Sequence, residues 1–352
     1  MMCNLKILYL YAELMGYQIP VFRELTENYG AKLHVVHWDH KKLTPYNPPY
    51  LENVVYYKRS QFSKKQLVEL ADKIKPDLVY VSGWMDKGYL QVCRQLKMKG
   101  IPVVAGSDTQ WKGNFRQQVA AIIFPFTFKK CFNYIWVAGF YQFEYARKLG
   151  FKKQEVIFNS FSADLTLFNA AFNATENIKK YKYPHQFLYI GRFENIKGID
   201  LLIQAWESLK DERKDWELCF IGNGSLKSYL IEQHDVIVKD FMQPENIITE
   251  IEYSGCFILP SREEPWGLVL QEFSAAGLPI ICSDVCGAGP VFVIPKYNGF
   301  VFNSNVVKSL ENKMRKIVNS SDQELIRMSQ NSHTIGQRIT PEIVAASLLS
   351  VL

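Results

Sequence analysis

Glu264 and Glu272 lie eight residues apart, and of all the patterns in this chain their spacing most clearly indicates a binding or catalytic site. The short apolar segment Cys256–Pro260 before them predicts a buried strand, and Pro265 suits the first turn of a following helix. Glu264 is therefore expected on the strand-to-helix loop and Glu272 on the helix itself.

The start of that helix is a candidate phosphate site. Four apolar residues repeat at helical spacing: Leu268, Val269, Phe273 and Ala276. The backbone N–H groups of Gly267, Leu268 and Val269 would point out of the helix N-terminus, which attracts anions. A carboxylate on either side would accept hydrogen bonds from sugar hydroxyls. An acidic first helical turn without a ligand is the alternative.

A second motif combines a strand end with two cations. An apolar strand starting at Gln186 ends in Gly191 and Arg192, a polar loop carries Lys197, and an amphipathic helix follows. Open α/β sheets bind ligands at the carboxyl ends of their strands. A guanidinium fork and a compact ammonium there suit phosphate oxygens, although two solvated basic residues would show the same pattern.

Together the motifs resemble the retaining GT-B glycosyltransferases of family 4. The resemblance is close over roughly residues 185 to 305 and includes the turns Phe220–Gly224 and Phe241–Glu245. It implies an α/β protein of the GT-B class, with two Rossmann-like doubly wound parallel-sheet domains facing across a cleft.

The resemblance also implies roles for single residues. Arg192 and Lys197 would hold the diphosphate of a nucleotide-sugar donor, Glu264 would contact the transferred sugar, and Glu272 would bind the nucleoside ribose. Gly222 and Gly224 would let the base approach the backbone. The remaining donor-site residues near these motifs are Gly191, Trp266, Gly267, Leu268 and Val269.

The implied chemistry needs no metal and no cofactor, since the nucleotide sugar is a substrate. The sugar carbon develops oxocarbenium character while negative charge collects on the leaving diphosphate. Arg192, Lys197 and the helix start near Gly267 would stabilise that charge. The family retains anomeric configuration without a dedicated carboxylate nucleophile, so Glu264 is not expected to be one.

Other functions remain open on the same residues. A sugar-nucleotide hydrolase, epimerase or phosphorylase can share the fold. A non-catalytic nucleotide-sugar binding protein is a further alternative, disfavoured because Arg192, Lys197, Glu264 and Glu272 are all present. A Rossmann dehydrogenase is excluded because no G-x-G-x-x-G follows the first strand.

Length and composition agree with a two-domain globular protein. The chain has 352 residues, of which 48% are hydrophobic and 22% charged, and about 100–200 residues form a usual domain. Apolar strands alternate with amphipathic helices in two series. We predict an acceptor-binding domain over 1–165 and a nucleotide-sugar-binding domain over 166–335. The remainder, 336–352, is a helix that in the family crosses back to the first domain. The polar stretch 163–184 is expected to be the linker.

The first domain is expected to hold the acceptor. Gly16 follows the first strand and could admit a phosphate or sugar to its backbone, or be an ordinary turn glycine. Relatives often carry a histidine motif where this chain has Asp108, which could bind a hydroxyl as a catalytic residue or cap the next helix. Trp84, Trp111 and Lys112 suit carbohydrate stacking and phosphate contact.

Charge is concentrated in the first domain. Residues 1–170 contain 23 Lys+Arg and 13 Asp+Glu, a net of +10, against +6 for the whole chain. This balance suggests an anionic partner such as a lipid phosphate, a membrane surface or a nucleic acid, although simple solubility would give the same balance. Of these we expect a lipid-linked or saccharide acceptor and an anionic membrane surface, and no nucleic acid. The apolar stretch Val119–Tyr134, next to Lys129 and Lys130, suits a lipid headgroup layer or a core helix.

The cysteines and the hydropathy of the chain indicate its cellular location. Seven cysteines, including Cys3, form no C-x-x-C motif, and Cys282 and Cys286 have no third ligand nearby, so no metal site is expected. Buried reduced thiols, no evident signal peptide and no run of about 20 apolar residues indicate the cytoplasm, with peripheral attachment at the inner membrane face.

Overall fold

The computed structural model describes residues 5–40 and 47–352. The chain divides into two compact units. Unit 1 comprises residues up to Ser162 together with Ile339–Leu352, and unit 2 comprises Ala163–Arg338. The boundaries predicted from the sequence, 165 and 335, lie close to these. Cys3 lies outside the described residues.

Unit 1 is built on a parallel sheet. Its strands are β1 (Lys6–Tyr11), β2 (Lys32–His37), β3 (Val54–Lys58), β4 (Leu78–Val81), β5 (Val103–Ser107), β6 (Tyr134–Val137) and β7 (Val156–Ile157). Within the described residues their order is β3-β2-β1-β4-β5-β6-β7. The central strands are almost continuously apolar and buried, as expected when helices cover both faces of a parallel sheet.

Unit 2 repeats this plan. Its strands are β8 (Gln186–Ile190), β9 (Glu217–Ile221), β10 (Ile237–Lys239), β11 (Cys256–Leu259), β12 (Ile280–Ser283) and β13 (Gly299–Phe302). All their pairings are parallel, in the order β10-β9-β8-β11-β12-β13. In both described sheets the order reverses beside the first strand, which is the doubly wound arrangement.

Helices cover the sheets. Those of unit 1 are α1 (Ile19–Arg23), α2 (Lys64–Ile74), α3 (Lys87–Met98), α4 (Phe115–Ile123) and α5 (Phe140–Lys148). Those of unit 2 are α6 (Leu165–Tyr181), α7 (Ile199–Ser208), α8 (Lys227–Ile231), α9 (Pro244–Ile251), α10 (Val269–Ala275), α11 (Gly289–Phe292), α12 (Val307–Val318) and α13 (Asp322–Gly336). The predicted α/β class with two doubly wound parallel sheets is confirmed.

The predicted linker over 163–184 is wrong, because most of it is helix α6. Asp164 caps this helix by accepting a hydrogen bond from the Leu167 amide. The residues buried on one side include Leu165, Phe168, Phe172, Thr175 and Lys179, which recur at steps of three and four. Asparagines, threonines and lysines on the helix conceal that period in the composition.

The C-terminal helix α14 (Pro341–Leu349) belongs to unit 1 and packs on α1 and on the π-helical turn Glu24–Asn28 that continues it. Thr340 caps α14 by accepting a hydrogen bond from the Ile343 amide. Val344, Ala345 and Leu348 are fully buried, so the last helix contributes to the packing of unit 1.

Candidate functional site

The candidate site lies where β8 and β11 run side by side in unit 2. From this pair, the chain proceeds to β9 and β10 on one side and to β12 and β13 on the other. The loops that leave β8 and β11 therefore meet at the carboxyl edge beside the reversal of strand order, and we call this place the crevice because doubly wound sheets bind ligands there.

Lys197 and Glu264 meet in this crevice. The Lys197 Nζ lies 2.6 Å from the Glu264 Oε2, and the Ser261 hydroxyl donates to the same oxygen at 3.1 Å. Their side chains are only 17% and 12% exposed. The two motifs found separately in the sequence thus converge on one charge-assisted contact.

Arg192 follows β8 by two residues, and its side chain is exposed. The guanidinium donates no hydrogen bond to any residue that the structure describes, whereas its backbone carbonyl accepts one from the Tyr189 hydroxyl at 2.9 Å. Five N–H donors are therefore available to a ligand at the end of the strand.

A network that sequence reasoning missed holds the two loops together. Arg262 binds both carboxylate oxygens of Asp200, at 2.7 and 2.6 Å, and also donates to the Asn195 side chain at 2.8 Å. This bidentate pair lowers the pKa of Asp200 and raises that of Arg262. Arg262 lies two residues before Glu264 and Asp200 three residues after Lys197, but no local pattern shows that residues 62 positions apart form a pair.

Gly198 brings Lys197 close to β11. Its φ is +69°, and a Cβ at this position would overlap the carbonyl oxygen of Pro260. Only glycine meets both the left-handed conformation and the close approach of the two backbones. The short helical turn ending at Lys197 is consequently pressed against the end of β11.

The predicted helix is α10, but it begins at Val269, so the expectation that Pro265 lies in its first turn is wrong. Gly267 precedes it with φ +90°, and the amides of Gly267, Leu268 and Val269 donate to no residue in the described part of the chain. Trp266 is buried beside Phe292, and its indole Nε1 is enclosed without a partner among the described residues.

Glu272 lies in the first turn of α10. Burial, with a smaller contribution from the charge of Asp164, raises the pKa of its carboxyl group to about 7. A carboxylate in such an environment is stabilised by hydrogen bonds from ligand hydroxyl groups, because these bonds replace the ones to water that it lost on burial.

The glycines after β8 and β9 have a structural explanation. A Cβ on Gly222 would overlap the carbonyl oxygen of Gly191, and one on Gly224 would press on the backbone of Phe193. The Phe193 amide donates to the Asn223 carbonyl at 2.8 Å, so the two loops lie directly together. Contact of Gly222 and Gly224 with a nucleotide base stays a prediction.

Residues 172–334 match the family model Glycosyl transferases group 1. The match covers a little under half of the chain and contains the whole crevice described above. Glycogen synthase from Mycobacterium tuberculosis is 30% identical over 117 residues, which are 31% of this chain and 28% of that protein. The chain spans less than half the length of the curated relatives it matches.

Solved structures show a likeness over the full length. HepE from Anabaena, crystallised in complex with UDP, has a TM-score of 0.74 at 16% identity, covering 99% of this chain and 100% of that one. A glycosyltransferase from Rickettsia africae has a TM-score of 0.73 at 13% identity, covering 99% and 97%. The two-domain Rossmann-like GT-B fold predicted from the sequence is confirmed.

The residues predicted for the first domain lie in unit 1: Gly16 for the donor site, Asp108 as a catalytic residue, and Trp84, Trp111 and Lys112 for the acceptor. Gly16 begins a short 3-10 turn after β1 and is exposed. Asp108 is exposed after β5, and its charge contributes to raising the pKa of Tyr17, although burial is the main cause. The alternative that Asp108 caps the next helix is wrong, because α4 begins later and Asn114 caps it.

The two tryptophans of the predicted acceptor site pack on other aromatic rings. Trp84 meets Phe124 edge-on at 4.8 Å, and Trp111 stacks on Tyr145 at 6.0 Å. Both are half-buried, while Lys112 is exposed and donates its backbone amide to Gln117. Packing accounts for the tryptophans, and contact with an acceptor stays a prediction.

Two further observations concern metals and membranes. Six cysteines of the described chain are free and buried, and the described residues contain no group of three or more metal-ligating side chains. Among the described helices, none combines the length and the apolar character needed to cross a bilayer.

Proposed function

We propose that this chain is a retaining glycosyltransferase of family 4, which moves a sugar from a nucleoside-diphosphate donor to a hydroxyl acceptor. The observation that carries the proposal is the contact between Lys197 and Glu264 at the β8–β11 switch point. The resemblance assigned one to phosphate and the other to sugar, and a diphosphate sugar needs both within a few ångströms.

A bound donor would exchange protein contacts for ligand contacts. Its diphosphate would take the Lys197 ammonium and the exposed Arg192 guanidinium, and a sugar hydroxyl would replace Lys197 beside Glu264. The open amides at the start of α10 offer further donors for phosphate oxygens. Glu272, in the first turn of α10, would receive the ribose hydroxyls.

The chemical step that we propose is departure of the diphosphate with attack on the same face. Negative charge that develops on the leaving oxygens would be stabilised by Arg192 and by Lys197, whose ammonium is positioned by Glu264 before the donor binds. Glu264 would keep the hydrogen bond from Ser261 and accept one from the sugar hydroxyl, so it is suited to orient hydroxyls rather than to attack carbon. The two cations supply charge that other enzymes obtain from a divalent ion, so we propose a metal-independent reaction.

The family match and the names of the relatives support this function. HepE was crystallised with UDP, which supports a nucleoside-diphosphate donor. We further propose that unit 1, with Asp108, Trp111 and Lys112, receives a saccharide or lipid-linked acceptor in surface polysaccharide or glycolipid assembly. The reaction would take place on the cytoplasmic side of a membrane.

A donor screen followed by product analysis tests the proposal. Thermal shift with UDP-, GDP- and ADP-sugars identifies the donor, and proton NMR of the product gives its anomeric configuration. We expect one donor class to raise the melting temperature, a glycoside of retained configuration to form, and EDTA to leave the rate unchanged. Donor cleavage that yields only free sugar would indicate a hydrolase, and activity lost to EDTA and restored by manganese would refute metal independence.

A further inference from the structure

Helix α4 of unit 1 presents its apolar side to solvent. Phe115, Ile122 and Phe126, at the end of the 3-10 turn that continues the helix, are 82%, 71% and 73% exposed, and Val119 is 37% exposed. These residues follow one another at steps of four, three and four, so they form one stripe about 16 Å long. We call this stripe the α4 face.

Gln117 is the buried residue of α4, and its side chain fixes which side of the helix faces inward. The Gln117 side chain donates to the Gln110 carbonyl at 2.6 Å and accepts from the Lys112 amide at 2.6 Å. Asn114 caps the helix, and Phe124 is buried among aromatic rings at its end. Rotating the helix to bury the α4 face would break these contacts, so the exposure is built into the fold.

Basic residues flank the α4 face. From residue 109 to residue 143 the sequence contains no Asp or Glu, while Arg116 and Lys130 are exposed. Lys129 instead pairs with Glu155 at 3.0 Å. An apolar stripe between unneutralised cations complements a surface that has apolar depth and negative charge, which an anionic bilayer provides.

A cavity of about 540 Å³ adjoins this surface. Phe126 lines the cavity and also ends the α4 face, so the two are continuous. Lys87 and Arg94 contribute cations to its wall, and no acidic side chain lines it among the described residues. A cavity of this size and charge suits the phosphate of a lipid headgroup.

We propose that unit 1 docks on a membrane containing anionic lipids through the α4 face, with a headgroup phosphate held between Lys87 and Arg94. Apolar side chains would enter the boundary between headgroups and acyl chains while Arg116 and Lys130 remain at headgroup level. This inference goes beyond the sugar-transfer proposal, because vesicle binding is measured with neither donor nor acceptor.

Vesicle sedimentation of the full chain tests the apolar part. We expect binding to vesicles of phosphatidylcholine with phosphatidylglycerol to increase with phosphatidylglycerol content and to fall with salt. Ile122→Asp should weaken binding at least about tenfold, because a carboxylate would face the headgroups. Ile231→Asp is the matched control: Ile231 is an isoleucine of unit 2, 62% exposed near a helix end, and its variant should bind like the wild type.

Charge variants test the basic part. Each basic residue close to an anionic surface strengthens binding about fivefold, so Arg116→Glu with Lys130→Glu should weaken it by roughly 25-fold or more. Lys64→Glu with Lys65→Glu makes the same change on α2 and should have a much smaller effect. Lys87→Gln with Arg94→Gln should also reduce binding; wild-type binding by that variant would refute the headgroup cavity.

Three results would overturn the docking proposal. They are no vesicle binding by the wild type at low salt, equal binding by wild type and Ile122→Asp, and a dimer in solution that Ile122→Asp dissolves while vesicles stay unbound. The last result would mean that a second copy of the chain covers the α4 face. All substituted side chains are exposed, so circular dichroism should confirm that each variant folds.

Discussion

Lys197→Ala should lower the rate of sugar transfer more than it lowers the stability of the fold. The side chain is 17% exposed and lies 2.6 Å from Glu264. If Lys197 stabilises the leaving diphosphate, its loss removes roughly 2–4 kcal/mol from the transition state, which lowers kcat/KM by roughly 30- to 1,000-fold.

The cost in folding should be smaller than the cost in rate. Removing one partner of a fully buried ion pair costs about 3–5 kcal/mol, whereas exposed pairs contribute less than about 1 kcal/mol. The Lys197–Glu264 pair is between these limits, and Ser261 still donates to Glu264 after the substitution. We therefore expect a loss of about 2 kcal/mol, or a few degrees in melting temperature.

The chain contains a matched control. Lys239 and Glu250 form an ion pair of the same length, 2.6 Å, in which the Glu250 side chain is 10% exposed. Lys239 lines a cavity with His185 and Asp215, which flank the amino ends of β8 and β9. Because the Lys239 side chain is 36% exposed, against 17% for Lys197, Lys239→Ala should lower the melting temperature by no more than Lys197→Ala does, and it should leave kcat/KM unchanged.

Steady-state release of the nucleoside diphosphate gives kcat/KM, and thermal melts give stability. Arg192→Ala completes the set, because its side chain donates no hydrogen bond to the described residues and should affect rate alone. The reasoning is refuted if Lys197→Ala and Arg192→Ala both keep wild-type turnover. It is also refuted if Lys239→Ala loses as much activity as Lys197→Ala, since the loss would then follow stability.

Two other substitutions test the surroundings of the crevice. The pKa of Glu272 is raised from 4.5 to about 7, so ionisation of this carboxyl group lowers the stability of the fold progressively as the pH rises from about 4.5 to 7. Glu272→Gln should therefore have the melting temperature of the wild type near pH 4.5 and a higher one at pH 8, where it should be more stable by up to about 2–3 kcal/mol. The same variant should bind the donor more weakly. An unchanged difference across that range would disprove the buried ionisation. Gly198→Ala should destabilise by more than about 2 kcal/mol because backbone strain adds to a clash with Pro260, whereas Gly100→Ala, with φ +83° and open space around it, should cost only about 1 kcal/mol in denaturant unfolding. Equal costs would show that the contact with Pro260 is not tight.

The sequence alone was sufficient to assign the candidate site residues to secondary-structure elements. Arg192 and Lys197 lie after β8, and Glu264 lies between β11 and α10, as predicted, because hydrophobic runs and helix starts are local signals. The same signals failed at α6, where polar residues conceal the helical period.

The tertiary structure is needed to show which of these elements lie together. The pairing of β8 with β11 places Lys197 against Glu264, and the Arg262–Asp200 pair and Gly198 fix the distance. No local period contains this information, since strands far apart in sequence pair according to how helices cover both faces of the sheet. The outward apolar face of α4 was decided in the same way: its pattern fits a core helix equally well, and the two hydrogen bonds of Gln117 determine which side is buried.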